Sequence, residues 1–149
     1  KLFLSLTLAL LALPVFAQTG KTLLNLNHSG VAIQGFDPVA FFTDHKPVKG
    51  DPRFVVKHDG AIYFFASKEH REIFKADPAK YEPQFGGFCA YGCSRNKLVK
   101  IDVDAFQIVD GKLLLQYSKG VRDDFNEDLK GNLARANANW PKLVVKSGK

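Results

Sequence analysis

Two cysteines, Cys89 and Cys93, are the residues of this chain best suited to chemistry. Along an extended strand their Cα atoms would lie about 13 Å apart, because each residue rises about 3.3 Å. A disulfide requires Cα atoms within about 7 Å of each other. Gly86 and Gly87 precede the cysteines and favour a tight turn or a helix start. Three interpretations are open: a disulfide, a metal or redox site, and two separate buried thiols that pack like small apolar side chains.

The histidines and the acidic residues give weaker signals. His58 stands beside the Asp59-Gly60 turn, His45 lies in a predicted loop and His28 in a polar segment. Each is expected to be solvated, although any one of them could add a ligand in space. The spacing of four acidic residues near the end of the chain is typical of a solvated helix face: Asp123, Asp124, Glu127 and Asp128. No phosphate-binding loop, nucleophile elbow or HExxH sequence is present, so no enzyme is predicted.

The first segment of the chain, 1–17, predicts export. One lysine precedes the apolar or small residues Leu2 to Leu13, and Pro14 and Val15-Phe16-Ala17 complete the pattern of a secretory signal peptide. The apolar run is several residues shorter than the roughly 20 that a membrane span needs. The mature protein is therefore expected to begin near Gln18, to be periplasmic or secreted, and not to span a membrane after cleavage.

The charge of the chain bears on its partners. Removal of 1–17 would lower the formal net charge from +6 to +5, because only one charged residue is lost. The positive charge is spread along the sequence, with no basic stripe and no interleaved aromatic residues. No nucleic-acid partner is predicted, and the identity of any protein partner is left open.

Local patterns predict an α+β fold of antiparallel hairpins packed with helices. Hairpins are predicted at Asp59-Gly60 and Asp110-Gly111, because a type I′ turn needs positive φ at both central positions. Ser67 should cap a helix over 68–76 and Ser118 a longer amphipathic one, which Gly131 could divide. Pro141 should end that last helix near Trp140. The apolar residues of its stripe recur at spacings of three or four: Val121, Phe125, Leu129, Leu133, Ala136 and Trp140.

Several segments in order carry a family resemblance. They are Gly35-Phe36-Asp37-Pro38-Val39-Ala40-Phe41-Phe42, Tyr63-Phe64-Phe65-Ala66-Ser67, Asp77-Pro78-Ala79-Lys80-Tyr81, Phe85-Gly86-Gly87-Phe88-Cys89-Ala90-Tyr91-Gly92, Ile108-Val109-Asp110-Gly111-Lys112-Leu113 and Ala138-Asn139-Trp140-Pro141. The chain thereby resembles the YHS domain family, specifically its small exported members. The resemblance implies an entry segment at 18–29, a YHS-like domain at 30–141 and a tail at 142–149. It implies a binding module, since the exported members have no well-defined activity and metal-handling relatives bind heavy metals.

The resemblance also implies positions for metal ligands. In metal-handling relatives the first segment reads Asp-Pro-Val-Cys and the second Tyr-Phe-Cys-Ser-x-x-Cys, and these thiolates suit copper(I) or zinc. Here the three positions are Ala40, Ala66 and His70, so only His70 keeps a donor atom. We expect that any soft metal ion, copper or zinc, is held by Cys89, Cys93 and His70. The alternatives are a structural or partner-binding domain without metal, with a Cys89–Cys93 disulfide or inert thiols, and a thiol redox protein.

Overall fold

The computed structural model describes residues 20–149, so the predicted signal peptide lies outside the described residues. The described chain contains helices and two antiparallel two-stranded sheets, which confirms the predicted α+β class. The first sheet pairs β1 (Asp51–His58) with β2 (Ala61–Phe65), and the second pairs β3 (Asp102–Val109) with β4 (Lys112–Gln116). The helices are α1 (Ala40–Thr43), α2 (Lys68–Ala76), α3 (Pro78–Tyr81), α4 (Ala90–Ser94), α5 (Lys119–Glu127) and α6 (Leu129–Ser147).

Both hairpins turn at the predicted Asp-Gly pairs. Asp59 and Gly60 have φ angles of 45° and 85°, and Asp110 and Gly111 have 50° and 73°, as a turn of this kind requires. The register of the second hairpin is irregular between Asp102 and Gln107. The strand β3 begins at Asp102, before this irregularity, and regular pairing resumes at Gln107.

The predicted serine caps of α2 and α5 are both present. The Ser67 hydroxyl accepts a hydrogen bond from the backbone N–H of His70 at 3.1 Å, and the Ser118 hydroxyl accepts one from that of Val121 at 3.2 Å. Each bond satisfies a backbone donor that the first turn of a helix leaves free. The Ser67 cap also fixes the position of His70 at the start of α2.

The end of the chain departs from the prediction in two places. The break between α5 and α6 falls at Asp128 rather than at Gly131, because the Asp128 carboxylate caps α6 by accepting from the Gly131 N–H at 3.1 Å. The helix does not end at Trp140, and the predicted tail at 142–149 is helical as far as Ser147. Pro141 is exposed, so water can satisfy the carbonyl that its ring leaves free, while Leu143, two residues further on, is buried.

Two apolar clusters lie on opposite sides of β4. Leu113 and Leu115 belong to the first cluster, with the hairpin β1–β2 and α2, whereas Leu114 belongs to the second, with α4, α5 and α6. Successive side chains of a strand point to opposite faces, so β4 is buried on both faces. The first cluster includes Phe41, Phe65 and Phe74, and the second includes Phe125, Ala136 and Leu143.

The start of the described chain lies against its end. The backbone N–H of Thr22 donates to the carbonyl of Lys149 at 3.0 Å, and the N–H of Lys149 donates to the carbonyl of Thr22 at 2.9 Å. Further along, the N–H of Asn25 donates to the carbonyl of Gly86 at 2.8 Å. None of the helices within residues 20–149 has both the length and the apolar character that a bilayer crossing requires.

Candidate functional site

The two cysteines lie at either end of the first turn of α4 and do not form a disulfide. The Cys89 thiol donates to Oε1 of Gln116 at 3.3 Å and accepts the backbone N–H of Gly92 at 3.5 Å. Cys89 belongs to the first apolar cluster and Cys93 to the second. Both side chains are buried, at 1% and 0% exposure.

The surroundings of Cys93 disfavour thiolate chemistry. Burial, followed by the neighbouring Cys89 thiol, raises the pKa of Cys93 from 9.0 to about 12. Metal ligation and nucleophilic attack both use the thiolate rather than the thiol. The arrangement is the one expected for separate buried thiols, which act as small apolar side chains in the core.

His70 is held by the buried carboxylate of Asp37. Its Nδ1 lies 2.6 Å from Oδ2 of Asp37, and its Nε2 lies 3.3 Å from the Thr43 hydroxyl. Asp37 is fully buried, and its carboxylate also accepts the backbone N–H groups of Val39 and Ala66, each at 2.8 Å, and that of Ala40 at 3.3 Å. The Asp37 carboxylate thus joins α1 to the start of α2.

The positions to which the resemblance assigns ligands therefore meet around one side chain. Ala40 and Ala66 contribute backbone N–H groups, and His70 contributes its ring, all to the carboxylate of Asp37. Sequence reasoning named these three positions but missed Asp37 at their centre. An acidic residue directly before a proline, ahead of an apolar run, was the signal available in the sequence.

The predicted ligand set of Cys89, Cys93 and His70 is not brought together. Within residues 20–149, one group of three or more His, Cys, Asp or Glu residues has ligand atoms within 4.8 Å of one another, and it consists of His58, Asp59 and Glu82. The Nε2 atom of His58 lies 2.7 Å from Oε1 of Glu82 and 3.3 Å from Oδ2 of Asp59.

This second group, which we call the His58 cluster, is assembled by three elements. His58 ends β1, Asp59 occupies the first position of the hairpin turn, and Glu82 follows α3. The imidazole of His58 packs edge-to-face on Phe74, with ring centroids 6.0 Å apart. The side chains of His58 and Glu82 are each 30% exposed and that of Asp59 is 78% exposed. The cluster is therefore anchored by packing on one side and open to solvent on the other.

The donor set of the His58 cluster is one nitrogen and two carboxylate oxygens. Such a set suits zinc and other first-row divalent ions, whereas copper(I) prefers sulfur ligands. Sequence reasoning assigned His58 to a solvated turn and gave Glu82 no role. The adjacent histidine and aspartate were visible in the sequence, but Glu82, which follows α3, is brought to them only by the fold.

A cleft of about 340 Å³ opens beside the His58 cluster. Asp59 and Glu82 form part of its wall, together with Tyr63 and with apolar residues of the entry segment and α6. Burial, followed by the charges of Glu82 and Asp59, raises the pKa of the Tyr63 phenol. Tyr63 therefore stays protonated and can donate a hydrogen bond.

Comparison of the chain with protein-family models, with curated proteins and with solved structures finds no match. The structure defines a small mixed α+β domain with two antiparallel hairpins. The resemblance to the YHS domain family stays a prediction.

Proposed function

We propose that this chain is a metal-binding module that holds zinc, or another first-row divalent ion, on His58, Asp59 and Glu82. The observation that carries the proposal is the convergence of one imidazole nitrogen and two carboxylate oxygens within 4.8 Å of one another.

The spacing of the donor atoms supports this proposal. In a tetrahedral zinc site with bonds of about 2.1 Å, two donor atoms lie about 3.4 Å apart. The His58 nitrogen already lies 3.3 Å from the Asp59 oxygen, and its 2.7 Å separation from the Glu82 oxygen has to open only slightly. Asp59 and Glu82 can make that adjustment, because their side chains are 78% and 30% exposed.

The charge of the His58 cluster also favours a divalent cation. Two ionised carboxylates and a neutral imidazole carry a charge that one divalent ion cancels. Three protein ligands leave a fourth tetrahedral position free for water or another ligand, which is the arrangement of open rather than purely structural zinc sites. The buried thiols take no part in this function.

Zinc titration by calorimetry of the full chain tests the proposal. His58→Ala and Glu82→Gln should each weaken zinc binding at least about tenfold, because each removes one of three ligands. His45→Ala is the matched control, since His45 is exposed and stands outside the cluster. Cys93→Ala should leave the affinity unchanged.

The opposite pattern would refute the proposal. If zinc binding is lost in Cys93→Ala and kept in His58→Ala, the thiols are the ligands. If the wild type binds zinc no better than a variant lacking all three ligands, the cluster is a surface ion pair only.

We infer in addition that the module works outside the cytoplasm. The inference is supported by the apolar run Leu2 to Leu13 and the ending Val15-Phe16-Ala17. The intact mass of exported protein should place the new N-terminus at Gln18 or within a residue or two, and retention of 1–17 would contradict export.

A further inference from the structure

We propose that the cleft beside the His58 cluster binds a small organic carboxylate with a flat apolar body, and that this ligand completes the coordination of the metal. The proposal rests on the proposed metal site and names the class of ligand that the site takes. Its starting observation is that Asp59 and Glu82 belong both to the cluster and to the wall of the cleft. A metal ion bound to them therefore borders the cleft.

The cleft lining also contains apolar and aromatic side chains. Phe85 and Trp140 meet edge-to-face with ring centroids 5.9 Å apart, and both line the cleft with Leu23. Trp140 is half-buried, so part of its ring stays accessible. A volume of about 340 Å³ lies at the lower end of the range for small-molecule sites. These features fit a flat apolar group of about the size of one aromatic ring.

The polar groups of the cleft decide the charge of the ligand. Without a metal, the carboxylates of Asp59 and Glu82 outnumber Lys21, the cationic residue of the cleft lining, whose ammonium donates to the carbonyl of Val145 at 3.1 Å, so an anion is repelled. With a divalent ion bound, their charge is cancelled and the free coordination position accepts an anionic oxygen. The Tyr63 hydroxyl stands on the same wall and can donate to the second oxygen of a carboxylate. Carboxylate binding should therefore depend on the metal.

The close packing of the segments that line the cleft depends on a glycine. Gly86 has a φ of 57°, and a Cβ there would stand 2.1 Å from the carbonyl oxygen of Leu23 and 3.1 Å from Cη2 of Trp140. Only glycine lets the entry segment and α6 approach each other this closely. The apolar wall is thus built from segments far apart in sequence.

The experiment measures benzoate binding to the full chain with and without zinc. Trp140 is the one tryptophan of the sequence, so its fluorescence reports on the cleft, and calorimetry gives an independent affinity. Benzoate should bind the zinc-loaded protein at least about tenfold more tightly than the metal-free protein. Benzyl alcohol, which lacks the charge, and acetate, which lacks the ring, should both bind at least about tenfold more weakly than benzoate.

A matched pair of variants tests the cleft itself. Tyr63→Phe removes one hydroxyl and keeps the ring, and it should weaken benzoate binding to the zinc-loaded protein about threefold or more. Tyr117→Phe makes the same change on an exposed residue outside the cleft and should have no effect.

Zinc affinity, measured in the same preparations, separates the two proposals. If zinc binds and benzoate does not, the ligand proposal is overturned while the metal site stands. If benzoate binds equally well without zinc, or if Tyr63→Phe and Tyr117→Phe behave alike, the ligand does not reach the metal beside Tyr63. If zinc fails to bind, both proposals fall together.

Discussion

Replacement of Asp37 by asparagine should destabilise the fold strongly, although the two side chains have nearly the same shape. The carboxylate is fully buried and accepts four hydrogen bonds. In Asp37→Asn the remaining oxygen can still accept from the N–H groups of Val39 and Ala40. The other oxygen becomes an NH₂ group, which lies 2.8 Å from the N–H of Ala66 and 2.6 Å from Nδ1 of His70. Because the NH₂ group and the N–H of Ala66 are both donors, they cannot form a hydrogen bond.

The magnitude follows from the bonds that are lost. Each hydrogen bond to a charged acceptor contributes about 1.5 to 3 kcal/mol, and a buried donor left without a partner costs about 1 to 3 kcal/mol. His70 can recover its bond by moving its proton to Nε2 and accepting from the new amide, but Ala66 cannot. We therefore expect Asp37→Asn to lower the free energy of unfolding by about 2 to 4 kcal/mol.

Urea unfolding followed by far-UV circular dichroism measures this change, provided that the slope with denaturant stays the same. Asp44→Asn is the control, because Asp44 is exposed and, among residues 20–149, its side chain accepts a hydrogen bond only from its neighbour Thr43. It should change the free energy by no more than about 0.5 kcal/mol. A loss below about 1 kcal/mol in Asp37→Asn would refute the view that this carboxylate organises the first core.

Three further predictions concern the cleft and the thiols. Gly86→Ala should lower the free energy of unfolding in the urea assay by at least about 2 kcal/mol, because its Cβ would clash with Leu23. Gly111→Ala is the control: Gly111 also has a positive φ but lies in open space, so this variant should lose only the free energy of backbone strain. Because burial raises the pKa of Cys93 from 9.0 to about 12, the folded state holds that proton more tightly than the unfolded chain. The contribution of Cys93 to stability should therefore be fully present below pH 9 and be lost as the pH rises toward about 12, by at most about 1.4 kcal/mol per pH unit. Cys93→Ala should remove this part of the pH dependence in unfolding curves taken at several pH values. Thiol titration without reductant should find both Cys89 and Cys93 unreactive in the native protein and reactive after unfolding. If mass spectrometry shows the protein to be two hydrogen atoms lighter than its sequence requires, the two cysteines form a disulfide and this prediction is wrong.

Local signals in the sequence were sufficient for most of the fold. The Asp-Gly pairs placed both hairpin turns, and Ser67 and Ser118 placed two helix starts, because turns and caps depend on neighbouring residues. The end of the last helix could not be predicted from such local signals. Its extension past Pro141 depends on the burial of Leu143 against other elements, which no local pattern contains.

The candidate site was less accessible to sequence reasoning. The sequence showed that Cys89 and Cys93 could take part in metal binding or redox chemistry. Their burial in two different apolar clusters follows from the packing of α4 and not from their spacing. Glu82 and His58 are far apart along the chain, and their side chains meet only after the chain has folded back through α2 and α3. The preference for a ligand set with His70 came from the resemblance, and the structure ties both nitrogens of that ring to other groups.

The burial of β4 on both faces has a consequence for how the protein unfolds. Leu113 and Leu115 support one apolar cluster and Leu114 the other, so neither cluster can loosen without removing a wall of its neighbour. Tyr91 of α4 also packs against both clusters. The two cores should therefore open as one cooperative unit, and the backbone amides of β4 should exchange with deuterium only through global unfolding.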